Sequence, residues 1–385
     1  MCGPGQTRNE QTELLRPHPI LARWIIGAAL GALFVWLATR DWPWALILGA
    51  PLHFEGAHIV GGKLGTASPS SIVSGRSPLP EGAWHCDLVG MIPYLFTLVA
   101  IHFLRVIRWI PLLRAMDHQV PFKVLNATGG ISFAAIFLFP LRLGELARPV
   151  LLAKLSEVKV SESMALVVVE RIFDGLAVTL MLAAVLLWMP MDHAEAYFRI
   201  QTGATIAFIF FSVGLGGILL SYFFRERMDA ALELVFQGRF HSMGRKIRGI
   251  LTRFYGGLAC LPNLKVMLIF TGLTLVYWLI NGWGHYTMVR AFGFSVDPLV
   301  GFAMMASVAI GMMIPNSPAN VGTFWYFLLL PLQIYGISDS TAQAVVFALF
   351  LWASQMGQMV IFGLYFLGKT PISLREVTAT REHNP

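Results

Sequence analysis

Two short stretches of this sequence carry charge inside strongly apolar surroundings. Pro140-Leu-Arg142-Leu-Gly144-Glu145-Leu-Ala-Arg148-Pro149 holds two arginines and a glutamate, and VVVERIFDGLAV at 167–178 holds Glu170, Arg171 and Asp174. An ionised side chain costs roughly 2.5–3.5 kcal/mol at the centre of a spanning helix, even on a lenient insertion scale. A ligand or an internal partner must offset that cost. In the first stretch the charges do not balance: Glu145 neutralises one arginine and leaves the other free. A spare guanidinium, with its planar fork of donors, suits a phosphate. Proline and glycine also break the helix there, and the exposed backbone groups are tolerable only where protein or water lines the site. In the second stretch Glu170 and Asp174 are four apart on one helical face, and Arg171, three before Asp174, can pair with it. That trio is nearly self-neutralising and equally suits internal salt bridges that hold helices in register.

The elements that position these residues follow from composition. Hydrophobic residues make up 56% of the chain and charged ones 13%, about half of the ~25% charged share of a soluble domain. The chain is therefore an all-α integral membrane protein, a polytopic helix bundle. Runs at 22–39, 88–110, 163–189, 203–223, 265–289 and 340–368 each reach the ~18 residues of a spanning helix, giving six spans. Eight residues in from Ser163, Arg171 lies about 12 Å deep. Two further apolar regions, 121–139 and 298–335, are broken, the first by the opening charged stretch and the second by IPNSPANVGTF at 314–324. Each reads as a re-entrant hairpin or a pair of short helices, with two short spans equally open for 298–335. Span, broken segment and span recur as 88–110, 121–155, 163–189 and again as 265–289, 298–335, 340–368, in opposite orientation. Inverted repeats with helices broken near the midplane are the architecture of alternating-access transporters.

Basic residues set the orientation. With both termini cytoplasmic, 22 of the 28 Lys and Arg fall on the inner side and 5 on the outer, with Arg171 inside a span, as the positive-inside rule requires of an inner (plasma) membrane protein. The net charge of +7 is this bias and asks for no nucleic-acid partner. The chain divides into a cytoplasmic leader 1–21, a transmembrane domain 22–368 and a cytoplasmic tail 369–385; within the domain are an outer loop 41–87 and a basic cytoplasmic loop 224–264. The leader, with Arg8 and Arg16, precedes an uncleaved signal anchor, because Leu37-Ala-Thr-Arg40 lacks a small-residue cleavage site. The outer loop, with Gly61-Gly62, Pro69, Pro78 and Pro80, reads as irregular. Its His53-x-Glu55-x-x-His58 lacks the zinc-protease spacing, so no metal is expected. Cys2, Cys86 and Cys260 form no disulfide framework; Cys86 is expected outside, within reach of an impermeant thiol reagent, and Cys260 inside. Ile247, Ile250, Leu251, Phe254 and Leu258, among Arg245, Lys246, Arg248 and Arg253, make an amphipathic helix that lies on an anionic leaflet or packs on the bundle.

PLRLGELARPVLL, then VVVERIFDGLAV, then IPNSPANVGTF, with Leu104-Arg105-x-x-Arg108-Trp109 ahead of them, resemble the signature segments of the lysylphosphatidylglycerol synthase transmembrane-region family, from about residue 88 to about 368. The resemblance implies a flippase-like domain with re-entrant helices that moves a lipid headgroup between leaflets. It carries over a substrate site of Arg142, Glu145, Arg148, Glu170, Arg171 and Asp174. It also implies a second turn built on Pro315, Pro318 and Gly322, around which lie Asn316, Ser317 and Asn320. Where members often have an acidic residue after that glycine, this chain has Phe324-Trp325. The aminoacyl-transfer domain of bifunctional members has no counterpart here, so no lysyl-lipid synthesis is expected.

The expected function is a lipid translocase for an anionic or phosphate-bearing membrane lipid, not an enzyme, without a cofactor and with an oligomer open. No Gly-rich phosphate loop ending in Gly-Lys-Ser/Thr is present in the sequence, so a nucleotide does not drive it. Two other readings stand beside it: an intramembrane enzyme acting on a lipid-linked substrate, and a non-transporting subunit of a cell-envelope lipid pathway.

Overall fold

Hydropathy decides where the helices run, and proline marks several of the places where they break. The computed structural model describes residues 32–33, 35–36, 39–42, 51–80, 82–139, 144–224, 258, 263–314 and 317–370. The leader, most of the first span, the expected basic helix at 243–260 apart from Leu258, the tail beyond Thr370, and Arg142, Pro315 and Asn316 lie outside the described residues. Helix α1 (Pro69–Val73) is a single short turn. The second, α2 (Ile92–Ile107), opens with Pro93 in its first turn, where a missing N–H costs nothing. It gives way to α3 (Trp109–Arg114) at Arg108, because Pro111 has no N–H to offer the Ile107 carbonyl. Then come α4 (Phe122–Leu138), α5 (Ala147–Leu155), α6 (Val160–Leu186) and α7 (Ala194–Phe223). The last four are α8 (Leu264–Ala291), α9 (Leu299–Met313), α10 (Thr323–Ile334) and α11 (Ala342–Lys369).

Among the described residues, four stretches are long and apolar enough to cross a membrane: α2 with α3, α7, α8 and α11. Helix α6 has a comparable length, 27 residues, but carries the charges of the second motif. The broken regions are helix pairs, as their sequence suggests. With 17 and 9 residues, α4 and α5 reach about 26 and 14 Å. With 15 and 12, α9 and α10 reach about 23 and 18 Å, so no arm alone spans a ~30 Å core.

The packing carries the repeat that hydropathy suggests. Helices α2 and α8 run antiparallel: Gly90 lies against Ala291, Gly284 against Thr97, and Arg105 reaches Tyr277. Helix α11 packs along α4 and α6 along α9, so each broken segment is held by the closing helix of the other unit. Exchanging α2, α4, α5 and α6 for α8, α9, α10 and α11 returns the α2–α8 contact to itself and turns α4–α11 into α6–α9, the pattern of two units related by a pseudo-twofold axis. Close approach is made by small residues, with Gly130 and Gly363 at the α4–α11 seam and Gly175 under Phe211 of α7.

The outer segment departs from the expected irregular loop. It holds a three-stranded antiparallel sheet in the order β1 (His53–Glu55), β2 (His58–Gly62), β3 (Ala83–Asp87). Gly62 at φ +93° lets β2 close on β3; a Cβ there would lie 2.2 Å from the Gly82 carbonyl oxygen. Gln343, at the start of α11, accepts from the His85 N–H at 2.7 Å, donates to the His85 carbonyl at 2.9 Å, and donates to the Phe292 carbonyl, fastening the sheet to the bundle. This seam corrects the expected access of Cys86. Its side chain is buried between sheet and helices with Sγ 3.3 Å from the Met91 sulfur. Burial first, and Asp87 second, push its thiol pKa up to about 12. His58 likewise bonds His85, N to N at 3.0 Å, and no group of three His, Cys, Asp or Glu among the described residues is placed to hold a metal.

Candidate functional site

Helix α6 presents Glu170 and Asp174 one turn apart into the interior, and the arginines that meet them come from elsewhere in the chain. Arg108, at the break between α2 and α3, is fully buried. It donates to Glu170 at 2.7 Å, to both oxygens of Asp174 at 2.5 and 3.2 Å, and to Thr274 of α8 at 3.2 Å. Arg148 of α5, also buried, donates to the second oxygen of Glu170. Indole N–H groups complete both carboxylates, Trp109 on Glu170 and Trp278 on Asp174, each at 3.1 Å. Glu170 and Thr274 both lie ten residues from the end of their helix away from the sheet, about 15 Å in.

Aromatic faces take up the rest of the cationic surface. The Arg148 guanidinium lies 4.0 Å from the Trp109 ring centre and Arg108 4.7 Å from that of Tyr277. Arg105 sits 4.5 Å over Phe133 and donates to the Tyr277 hydroxyl at 2.5 Å. Such contacts favour a cation where water is scarce.

The pairing differs from what sequence spacing suggests. Arg171 lies 3.3 Å from Glu145, and Asp174 takes Arg108 as its ion-pair partner. Glu145, Arg148, Glu170, Arg171 and Asp174 are thus brought into one cluster, and Arg142 is outside the described residues. Arg108 and Arg105 were missed as site residues because they fall at the end of a span, where basic residues are normally topological; the available signal was Arg105-x-x-Arg108-Trp109 inside the apolar run. Arg105, Arg108, Arg148 and Arg171 against Glu145, Glu170 and Asp174 leave a net charge of +1. The Glu170 and Asp174 carboxylates are filled by donors of the protein itself. The arginines are not: Nε and Nη2 of Arg148 and Nε of Arg108 and Arg171 have no acceptor among the described residues. Buried donors of this kind are rare in native proteins and call for a partner.

Beside the cluster lies a small cavity of about 90 Å³. Arg105, Arg171, Asn281, His285, Asn320 and Gln355 give it polar walls, and methionines and phenylalanines line the rest. Both broken segments reach it, α4 through Phe133 and Phe137, and the second turn through Asn320. That turn is strained: Ala319 and Asn320 have φ of 61° and 51°, and Gly322 has 81°. Pro318 opens it, the Ser317 hydroxyl donates to the Val321 carbonyl at 2.9 Å, and Trp352 donates to the Ala319 carbonyl at 2.9 Å. Phe324 and Trp325, in place of an acidic residue, are buried, with Trp325 packed on Trp42 and Trp352.

Fold and site together define an all-α membrane protein in which two broken helix pairs meet at a cavity flanked by buried arginines. The chain belongs to the lysylphosphatidylglycerol synthase TM region family, whose profile matches residues 72–356 and so takes in both helix pairs and the whole cluster. It is similar to a UPF0104 membrane protein of Methanocaldococcus jannaschii, 25% identical over 211 residues, which are 54% of this chain and 83% of that one. It is also similar to the glycosyltransferase AglD of Haloferax volcanii, 25% identical over 246 residues, 57% of this chain and 39% of AglD. No solved structure gives a significant match.

Proposed function

We propose that this protein is a lipid translocase of the flippase-like kind, moving an anionic or phosphate-bearing lipid between leaflets of the inner (plasma) membrane, with both termini in the cytoplasm. One observation carries the reading: Arg148, buried in a cluster of net positive charge beside the cavity, keeps two N–H groups without an acceptor. A phosphate oxygen pair matches that fork. Glu170 and Asp174 hold Arg108 and Arg148 in place, while Arg148, Arg171 and Arg142 meet the headgroup. The two pseudo-symmetric units then rock about the cavity to open it to either leaflet. Membership of the family and the similarity to AglD support a place in lipid or cell-envelope pathways. AglD's name also favours a second reading, an enzyme or accessory subunit acting on a lipid-linked sugar.

Native mass spectrometry of the purified protein separates these readings. A phosphate-bearing lipid enriched over the surrounding membrane, and lost in Arg148→Ala, supports the translocase site. Bulk lipid composition in both proteins, or an enriched lipid indifferent to Arg148, contradicts it.

A further inference from the structure

A second space lies on the flank of the bundle. It is a groove of about 340 Å³ between the residues leading into α5, the outer face of α6, and α7. Its walls are apolar, with Val168 and Ile172 on one side and Phe210 and Gly214 on the other; its charged groups are Glu145 and Arg171. Helix α7 turns most of its surface outward, with Ile206, Phe210, Val213 and Leu220 all exposed, so the groove faces the bilayer. Gly214 keeps it open: a Cβ there would meet only Ile172, at 3.4 Å. Arg171 lines this groove and the central cavity alike. Its ion pair with Glu145 therefore stands between the two spaces. Unlike the saturated pairs inside, with exposures of 4% or less, the side chains of Arg171 and Glu145 are 29% and 22% exposed. An anion can approach them without dismantling the network.

We propose that the groove is a lateral binding site for an anionic lipid, whose acyl chain lies between α6 and α7 and whose headgroup exchanges with Glu145 for Arg171. The Glu145–Arg171 pair is the gate from the bilayer to the cavity. Charge complementarity selects the occupant: one cation at the head of an apolar slot fits a molecule that brings both an anion and a hydrocarbon chain. The proposal takes its purpose from the translocase reading, but occupancy of the groove is a binding property measured without transport.

The full-length protein is placed in nanodiscs containing phosphatidylglycerol or phosphatidylcholine with a photoactivatable acyl chain, and cross-linked residues are mapped by mass spectrometry. The phosphatidylglycerol probe should label Val168, Ile172 and Phe210 several-fold more than the phosphatidylcholine probe. Arg171→Gln should erase that difference. Glu145→Gln should raise phosphatidylglycerol labelling by roughly two- to fivefold, the change expected on releasing a partly exposed ion pair. Gly214→Leu should reduce labelling by both probes. Equal labelling by the two headgroups in the parent protein, which needs no variant, overturns the proposal, as does labelling indifferent to Gly214→Leu. Leaflet exchange in the same preparations reads the translocase separately: headgroup-selective labelling without exchange sinks transport and keeps the site, whereas exchange without such labelling sinks the gate.

Discussion

Arg108→Met removes the cation on which α2, α6 and α8 converge, and its cost follows from what remains. Methionine replaces only the unbranched stem of the side chain and lacks the guanidinium that lies over Phe270 and Tyr277, so the charge, its hydrogen bonds and its cation–π contacts are lost together. Asp174 loses two bonds, at 2.5 and 3.2 Å, and keeps the one from Trp278; Glu170 keeps Arg148 and Trp109. A carboxylate 3% exposed is thereby left without its ion-pair partner. Breaking a buried pair from one side costs about 3–5 kcal/mol. The double variant Arg108→Met, Asp174→Asn removes the stranded charge and should recover about 0.5–3 kcal/mol of the sum of the single changes. Reversible unfolding in mixed micelles, followed by circular dichroism, measures all three. Stability of Arg108→Met within about 1 kcal/mol of the parent, as for a surface pair, refutes the buried network.

Three further outcomes follow from local geometry. Gly144→Ala places a Cβ 2.1 Å from the backbone of Ala135, so the α4–α5 fold must shift, at a cost of roughly 1–3 kcal/mol in the same unfolding assay. Cys86, buried with its pKa near 12, should resist a membrane-impermeant maleimide at neutral pH in intact cells and react once the protein is unfolded. His85 has its pKa lowered by burial first and His58 second, against a smaller rise from Asp87. Below its ordinary 6.5 the unfolded chain therefore binds the proton more readily than the folded one. The parent should lose stability between pH 7.5 and 5.5, and His85→Asn should lose less.

How much of this was legible depended on range. Leu264–Ala291 and Ala342–Lys369 are long, predominantly apolar runs, and the helix pairs announce themselves through Pro140, Gly144, Pro315 and Pro318. These are local signals. The ion pairs are not: Arg171 is three residues from Asp174 and twenty-six from Glu145, yet it pairs with Glu145, because α5 packs across α6 and sets the meeting. Arg108 reads as a topological charge until Pro111 breaks the helix beneath it and the aromatic face of α8 closes over it. Strands of three to five residues among Gly, Pro and Ser gave too short an alternation to reveal the sheet.

Whether the buried arginines carry a headgroup across the membrane is read by leaflet exchange in proteoliposomes made with the co-purifying lipid. The parent should exchange it, Arg148→Ala and Arg142→Ala should insert and fold but lose exchange, and Arg148→Lys, which keeps the charge without the fork, should fall between. Exchange at the parental rate in both alanine variants would contradict the translocase site and leave the arginines as structural cations only.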